Sequence, residues 1–216
     1  MSSKISREVV ELLREKEYEI LTNFCAQEKR YWKALRSYVY EPDEELYHPA
    51  AEAIAVYWYK QWQAGNEEAV REYIRVLLWS LNDESGGIGW NAPQIIAEII
   101  ALIPEIMMPY ASMVVDRTME ESLLVPAGLW AIGRLGKPMQ SIVRFFDQLV
   151  LATFGSSEPG TLGLSAWALG EAGFAPAITS IELLQDRGEP VRIYVNGRFE
   201  TKPVKQWAWE AILKMY

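Results

Sequence analysis

Apolar positions recur at helical spacing along most of the chain, which predicts a largely α-helical protein. The clearest example is Val70, Ile74, Leu77 and Leu81, which lie three or four residues apart and predict one buried helix face. The same spacing predicts one or two helices over about 6–40 and a stripe over 142–150. It also predicts helices over about 49–63, 90–103, 105–115, 126–136, 161–173, 176–186 and 203–215.

Glycine and proline mark the ends of these predicted helices. Gly136 and Gly173 are each followed within three residues by a proline, Pro138 or Pro176, which is typical of one helix ending and the next beginning. Pro49 suits the first turn of a helix, so we expect His48 to cap that helix. The order helix, glycine, proline, helix predicts paired helices joined by short turns.

The exception to the helical pattern is a short segment near the C-terminus. Arg192–Val195 and Arg198–Thr201 flank Asn196–Gly197, a pair that favours the two-residue turn of a β-hairpin. The sequence therefore predicts a hairpin followed by a final helix, and we interpret both as a C-terminal cap.

Three segments resemble one another at nearly constant spacing. They are "GWNAPQIIAEII" from Gly89, "VPAGLWAIGRLG" from Val125 and "GTLGLSAWALGEAG" from Gly160. Aligned on Ala97, Gly133 and Gly170, they repeat every 36 and 37 residues. A period of this length predicts helical hairpins stacked in register, an all-α, right-handed α-α superhelix with the β-hairpin at its end.

At these residues the chain resembles the HEAT-like repeat proteins of the phycobilisome-lyase type. The resemblance rests on 77–99, 127–136 and 164–173, more weakly on 41–56, and covers about 40–185. It implies a division into an N-terminal helical cap (1–40), HEAT-like repeats (41–186) and a hairpin-plus-helix cap (187–216). That family includes chromophore lyases, DNA-repair proteins and scaffolds, so the resemblance implies an architecture and leaves the function open.

Composition narrows the classes of function. The chain of 216 residues carries 21 basic and 29 acidic side chains, a net charge of −8, and no basic run longer than two residues. Nucleic-acid and acidic membrane surfaces are bound by basic faces, so we predict neither as a partner. Cys25 is the only cysteine, and its apolar neighbours predict a packed thiol; with no signal segment, a cytoplasmic location is expected.

The candidate binding residues come from equivalent positions in the repeats. Trp130 and Trp167, with Gln94, form one predicted row, and tryptophan is frequent at the centre of protein interfaces. The alternative is that both tryptophans fill the core between hairpins. Glu98, Arg134 and Glu171 form a second row, interpreted either as an ion-pair ladder or as the lining of a ligand surface.

A glycine-rich loop precedes the first repeat helix. Glu84 and Trp90 at its two ends are predicted to form a binding lip, and an ordinary helix-to-helix turn is the alternative. The loop lacks the Gly-Lys-Ser/Thr ending of a nucleotide-binding P-loop. The chain has one histidine and one cysteine, too few for a structural zinc site, and the single histidine weakens any histidine-based triad. We therefore expect no metal or other cofactor.

These observations favour a non-enzymatic protein-binding or assembly scaffold whose concave face binds a protein partner. The predicted contact residues are Glu84, Trp90, Gln94, Trp130, Arg134, Trp167 and Glu171. The alternative is a lyase-like enzyme or accessory protein that binds a small planar ligand. A glycosylase-like DNA-binding protein would need a basic groove, which the charge balance disfavours.

Overall fold

The computed structural model describes residues 3–40, 44–81 and 90–216, and the chain forms two compact units, Met1–Glu105 and Ile106–Tyr216. The predicted boundaries at 40 and 186 do not coincide with this division, and the three-part organisation stays a prediction. Within the described residues the chain is almost entirely helical, with one two-stranded sheet near the C-terminus.

The described residues of unit 1 form six helices. They are α1 (Ser3–Arg14), α2 (Tyr18–Gln27), α3 (Lys29–Tyr38), α4 (Glu44–Gln63), α5 (Glu67–Ser80) and α6 (Ala92–Leu102). The first three and α5 pack around α4, and α6 packs against both α4 and α5. The core between them is built of fully buried aliphatic side chains such as Leu13, Leu35, Ile54 and Ile96.

Two expectations for unit 1 need correction. The segment 6–40 forms three helices instead of one or two, because Lys16 adopts a positive φ of 56° after α1 and Glu28 is extended between α2 and α3. Pro49 lies inside α4, since this helix begins at Glu44. His48 is therefore a buried residue of the helix body and does not cap it.

Unit 2 contains three repeats, each with a first-helix segment and a second helix. The first-helix segments are α7 (Met107–Glu120), α9 (Gln140–Phe145) with α10 (Asp147–Ala152), and α12 (Ile178–Glu182). The second helices are α8 (Val125–Leu135), α11 (Pro159–Glu171) and α13 (Val204–Met215). The helix predicted over 176–186 is shorter than expected, and the stripe over 142–150 is broken at Phe146, whose φ and ψ are −103° and 26°.

The turns between repeats in unit 2 follow the predicted pattern. Gly136 and Gly173 have φ values of 64° and 65°, a left-handed conformation that glycine adopts without strain. Each is followed closely by a proline-containing 3-10 turn, Lys137–Met139 or Ala175–Ala177. Gln140 Nε2 donates a hydrogen bond of 2.8 Å to the Gly173 carbonyl, which ties one repeat to the turn of the next.

The predicted hairpin is present between α12 and α13. Its strands are β1 (Pro190–Val195) and β2 (Arg198–Pro203), paired antiparallel with Val195 opposite Arg198. Asn196 and Gly197 both have positive φ, 51° and 80°, as a type I′ turn requires.

Candidate functional site

The seven predicted contact residues fall into three groups. Glu84 lies outside the described residues. Trp90 and Gln94 belong to unit 1, and Trp130, Arg134, Trp167 and Glu171 belong to unit 2. The geometry of a site can therefore be built within unit 2, where four of the seven lie on adjacent second helices.

In unit 1, Trp90 and Gln94 lie in different environments. Trp90 immediately precedes α6 and is 45% exposed, so it is available for contact. Gln94, one turn further, is only 5% exposed, and its Oε1 has no hydrogen-bond partner. Gln94 thus belongs to the interior and does not line a surface.

Trp130 and Trp167 are buried, with exposures of 4% and 5%, so the prediction that they line an open surface is wrong. For Trp167 the reason is the glycine on the neighbouring second helix. A Cβ at Gly133 would lie 2.3 Å from the ring of Trp167, so only glycine leaves room for this ring against α8. The alternative interpretation, in which both rings pack between repeats, describes their burial correctly.

An extended strand of the same chain covers Trp130. The Trp130 Nε1–H donates a buried hydrogen bond of 2.8 Å to the carbonyl of Tyr194 in β1. Three residues earlier in the strand, the side chain of Val191 fits against Gly163 of α11, where a Cβ would lie 2.8 Å from Val191 Cγ1. Strand β1 therefore crosses from α11 to α8. Its Val191 side chain packs against Gly163, and its Tyr194 carbonyl accepts the hydrogen bond from Trp130.

A third tryptophan, on α13, holds the other end of the strand. The Trp207 Nε1–H donates a hydrogen bond of 3.1 Å to the carbonyl of Val191, and Trp207 is fully buried. The middle tryptophan, Trp167, has a buried Nε1 with no hydrogen-bond partner. Each second helix of unit 2 thus carries one buried indole N–H donor, and β1 accepts hydrogen bonds from the first and the last.

The strand lies on the face of the second helices that points away from the first helices. Ser165 Oγ and Thr153 Oγ1 are 2.7 Å apart, which places Ser165 on the side of α11 next to the turn after α10. Gly163, which contacts β1, is two residues earlier and so about 200° away around the helix. We call this face, formed by Trp130, Gly163, Trp167 and Trp207, the second-helix groove.

Polar contacts attach the hairpin to α13 as well. Lys202 Nζ lies 2.8 Å from Glu200 and 2.7 Å from Glu210, and 4.3 Å from the centre of the Trp207 ring. The hydrogen bond from Lys202 lowers the pKa of the Glu200 carboxyl. Lys202 therefore links the second strand to α13 directly above one of the groove tryptophans.

The other two predicted residues lie at the ends of their helices. Arg134 is exposed near the end of α8, and Glu171 at the end of α11 is half-buried and forms an ion pair with Lys214 of α13. Since α11 packs between α8 and α13, this pair links two successive second helices. The ladder of Glu98, Arg134 and Glu171 stays a prediction, because Glu98 belongs to unit 1.

Sequence reasoning missed Trp207 and β1 as parts of this site. A signal for them exists: a hairpin of two six-residue strands has too little interior of its own to bury Val191, Ile193 and Tyr194. Such a hairpin must place its apolar side chains on a neighbouring surface, and the tryptophan-bearing helices are that surface.

Two further properties bear on the class of protein. No three His, Cys, Asp or Glu side chains cluster as metal ligands within residues 3–40, 44–81 and 90–216. Across the same ranges, none of the helices combines the length and hydropathy needed to cross a bilayer.

The fold, but not the sequence, resembles that of known proteins. No protein-family model and no curated protein matches the chain. A solved structure of computationally designed armadillo repeat proteins for modular peptide recognition matches with a TM-score of 0.52 and 17% identity, over 97% of this chain and 94% of the other. A designed armadillo repeat protein matches over 99% of both chains with a TM-score of 0.49 and 16% identity.

The first of these matches shows the fold. The chain is an all-α repeat protein of the HEAT and armadillo type, with a small β-hairpin near its C-terminus, as the sequence predicts.

Proposed function

We propose that this protein is a non-enzymatic scaffold that binds an extended segment of a partner protein in the second-helix groove of unit 2. The observation that carries this proposal is the seating of β1: two indole N–H groups, from Trp130 and Trp207, bind main-chain carbonyls of an extended strand. Main-chain recognition of this kind does not depend on the identity of the bound side chains.

The spacing of the two accepting carbonyls supports an extended ligand. Val191 and Tyr194 are three residues apart, which is about 10 Å in a strand and about 5 Å in a helix. A helical ligand would therefore bring its carbonyls too close together to reach the indoles of α8 and α13. It would also use those carbonyls for its own hydrogen bonds.

The structural neighbour agrees with this proposal. It consists of computationally designed armadillo repeat proteins for modular peptide recognition, and its fold is shared by this chain.

The exposed Arg134 and the half-buried Glu171 complete the proposed surface. Arg134 and Glu171 lie on the helices that carry Trp130 and Trp167, one turn further along each helix. Their charges would therefore meet polar side chains of a segment bound over the indoles. Trp90 stays a predicted contact of unit 1.

The test is a selection of linear peptides from a random library on the purified full chain. Binding is then mapped with ¹⁵N-labelled tryptophan, whose indole signals are assigned by Trp-to-Phe substitution. We expect bound peptides to shift the indole signals of Trp130, Trp167 and Trp207. Two exposed tryptophans, Trp79 and Trp209, serve as internal controls whose signals should not move.

Two results would contradict the proposal. If no enriched peptide binds either the purified wild-type protein or a Gly197→Val variant, in which the hairpin turn is strained, the chain has no site for linear segments. If bound peptides shift only Trp79 or Trp209, the binding surface lies elsewhere.

A further inference from the structure

We infer that strand β1 occupies, within the same chain, the groove that receives the partner, so that the hairpin and the partner segment exclude each other. This inference rests on the proposed function and adds its regulation and the chemistry of its ligand. In the structure described here, the groove is closed by the hairpin.

The hairpin fills the groove in the manner expected of a bound peptide. Val191, Ile193 and Tyr194 of β1 are buried, whereas Pro190 and Arg192 are exposed. The main-chain carbonyls of Val191 and Tyr194 are the acceptors of the two indole hydrogen bonds. A second extended segment has no route to Trp130 or Trp207 while β1 is in place.

The chain connections allow the hairpin to leave without dismantling the repeats. Its two ends meet at their base, where Val204 N donates 3.0 Å to the Glu189 carbonyl and Lys205 N donates 2.9 Å to the Arg187 carbonyl. The hairpin thus leaves and re-enters the helical part of the chain at one place. Rotation about Gly188 and about ψ of Pro203 would lift it from the groove, with loss of the Val204–Glu189 hydrogen bond and the Lys202–Glu210 ion pair, while α12 and α13 keep their mutual packing.

The indole N–H of Trp167, which has no acceptor, favours replacement of the hairpin by a partner segment. The buried Nε1–H of Trp167 has no acceptor in the closed arrangement. A buried donor without an acceptor costs free energy. The hairpin supplies acceptors to Trp130 and Trp207 but not to Trp167. A partner segment that also offers a carbonyl to Trp167 gains a hydrogen bond that the hairpin does not form.

The closed state also indicates which segments fit. The absence of a side chain at Gly163 leaves a depression that Val191 fills with its two methyl groups. A partner segment should therefore be extended, with a small β-branched residue at this depression. Two and three positions after that residue it should carry apolar residues, which correspond to Ile193 and Tyr194 of β1.

The experiment locks the hairpin in the groove with a disulfide. An ideal Cβ on Gly163 lies 3.1 Å from Val191 Cβ, about half an ångström closer than most disulfides require, so Gly163→Cys with Val191→Cys can cross-link after a small shift. The only native cysteine, Cys25, is buried in unit 1 and cannot interfere. The reduced protein is the matched control for the oxidised one.

The probe is a fluorescein-labelled synthetic peptide with the sequence of residues 188–197 and glycine in place of Val191, which leaves room for the side chain introduced at position 163. Its binding is measured by fluorescence polarisation alongside that of the library-selected peptides. We expect binding by the reduced protein and a loss of at least about tenfold on oxidation, because a closed groove has no binding-competent fraction. Wild-type protein with and without reductant should not differ.

A second variant tests the opposite direction and does not alter the groove. Gly197→Val places a β-branched residue at φ 80°, which strains the turn and weakens the hairpin. If it raises the competent fraction as expected, the same peptides should bind about fivefold more tightly than to wild type.

The outcomes separate the two proposals. Equal binding by oxidised and reduced protein would overturn the competition by β1 and leave peptide binding intact. Absence of binding by every form, including Gly197→Val, would overturn both.

Discussion

The close packing of the second helices makes a sharp prediction about Gly170 of α11. A Cβ at this position would lie 2.6 Å from the Cα and Cβ of Ala211 in α13, whereas non-bonded carbons normally approach to about 3.5–4.0 Å. Gly170→Ala therefore requires α13 to move away by about 1 Å. Overpacking of this kind costs about 1–3 kcal/mol, partly offset by about 0.5–1 kcal/mol of improved helix propensity.

A matched control lies in the same helix. Gly160 in the first turn of α11 has no atom within 4 Å of an added Cβ, so Gly160→Ala carries the propensity gain without the clash. We expect the free energy of unfolding of Gly170→Ala to be about 1–3 kcal/mol below that of Gly160→Ala. Urea denaturation followed by far-ultraviolet circular dichroism measures this difference. Equal stability of the two variants would refute the packing argument and the register of α11 against α13.

Three further predictions concern single side chains. Trp130→Phe removes the buried donor to the Tyr194 carbonyl and should lower the free energy of unfolding by about 1–2 kcal/mol, whereas the exposed control Trp209→Phe should change it by less than about 0.5 kcal/mol in urea denaturation. Burial raises the pKa of the Cys25 thiol to about 12, so iodoacetamide should modify it only after denaturation, and rapid native labelling would contradict its placement. Burial also raises the pKa of Tyr73 to about 12, whereas an unfolded tyrosine ionises near 10. The stabilisation that this shift contributes is therefore complete below pH 10 and is lost as the pH rises towards 12. In denaturation experiments across this pH range, Tyr73→Phe should lose less stability than the wild type.

The parts of the fold that sequence predicted well are those with local physical causes. Helix α5 follows from the spacing of its buried residues, and the turns at Gly136 and Gly173 follow from the left-handed backbone that glycine accepts. The hairpin follows from Asn196–Gly197 in the same way. In each case the evidence lies within a few residues of the feature.

The contacts that define the groove have no such local signal. Trp130 and Tyr194 are 64 residues apart, and a tryptophan on an apolar helix face has the same spacing whether a surface, a neighbouring helix or a strand covers it. The error at Pro49 has a similar origin. Proline favours a helix start, but burial of the preceding segment extends α4 back to Glu44.

Glycine and tryptophan therefore have linked roles in the second helices. Gly133 leaves room for the ring of Trp167 against α8, and Gly170 lets α13 approach α11 closely, while Trp130, Trp167 and Trp207 are all buried. A donor buried in this way gains most from a main-chain carbonyl, since water cannot replace it. Under the proposed function, these buried donors are the groups that an extended chain would bind. A change that widens the helix spacing should weaken hairpin docking and partner binding together.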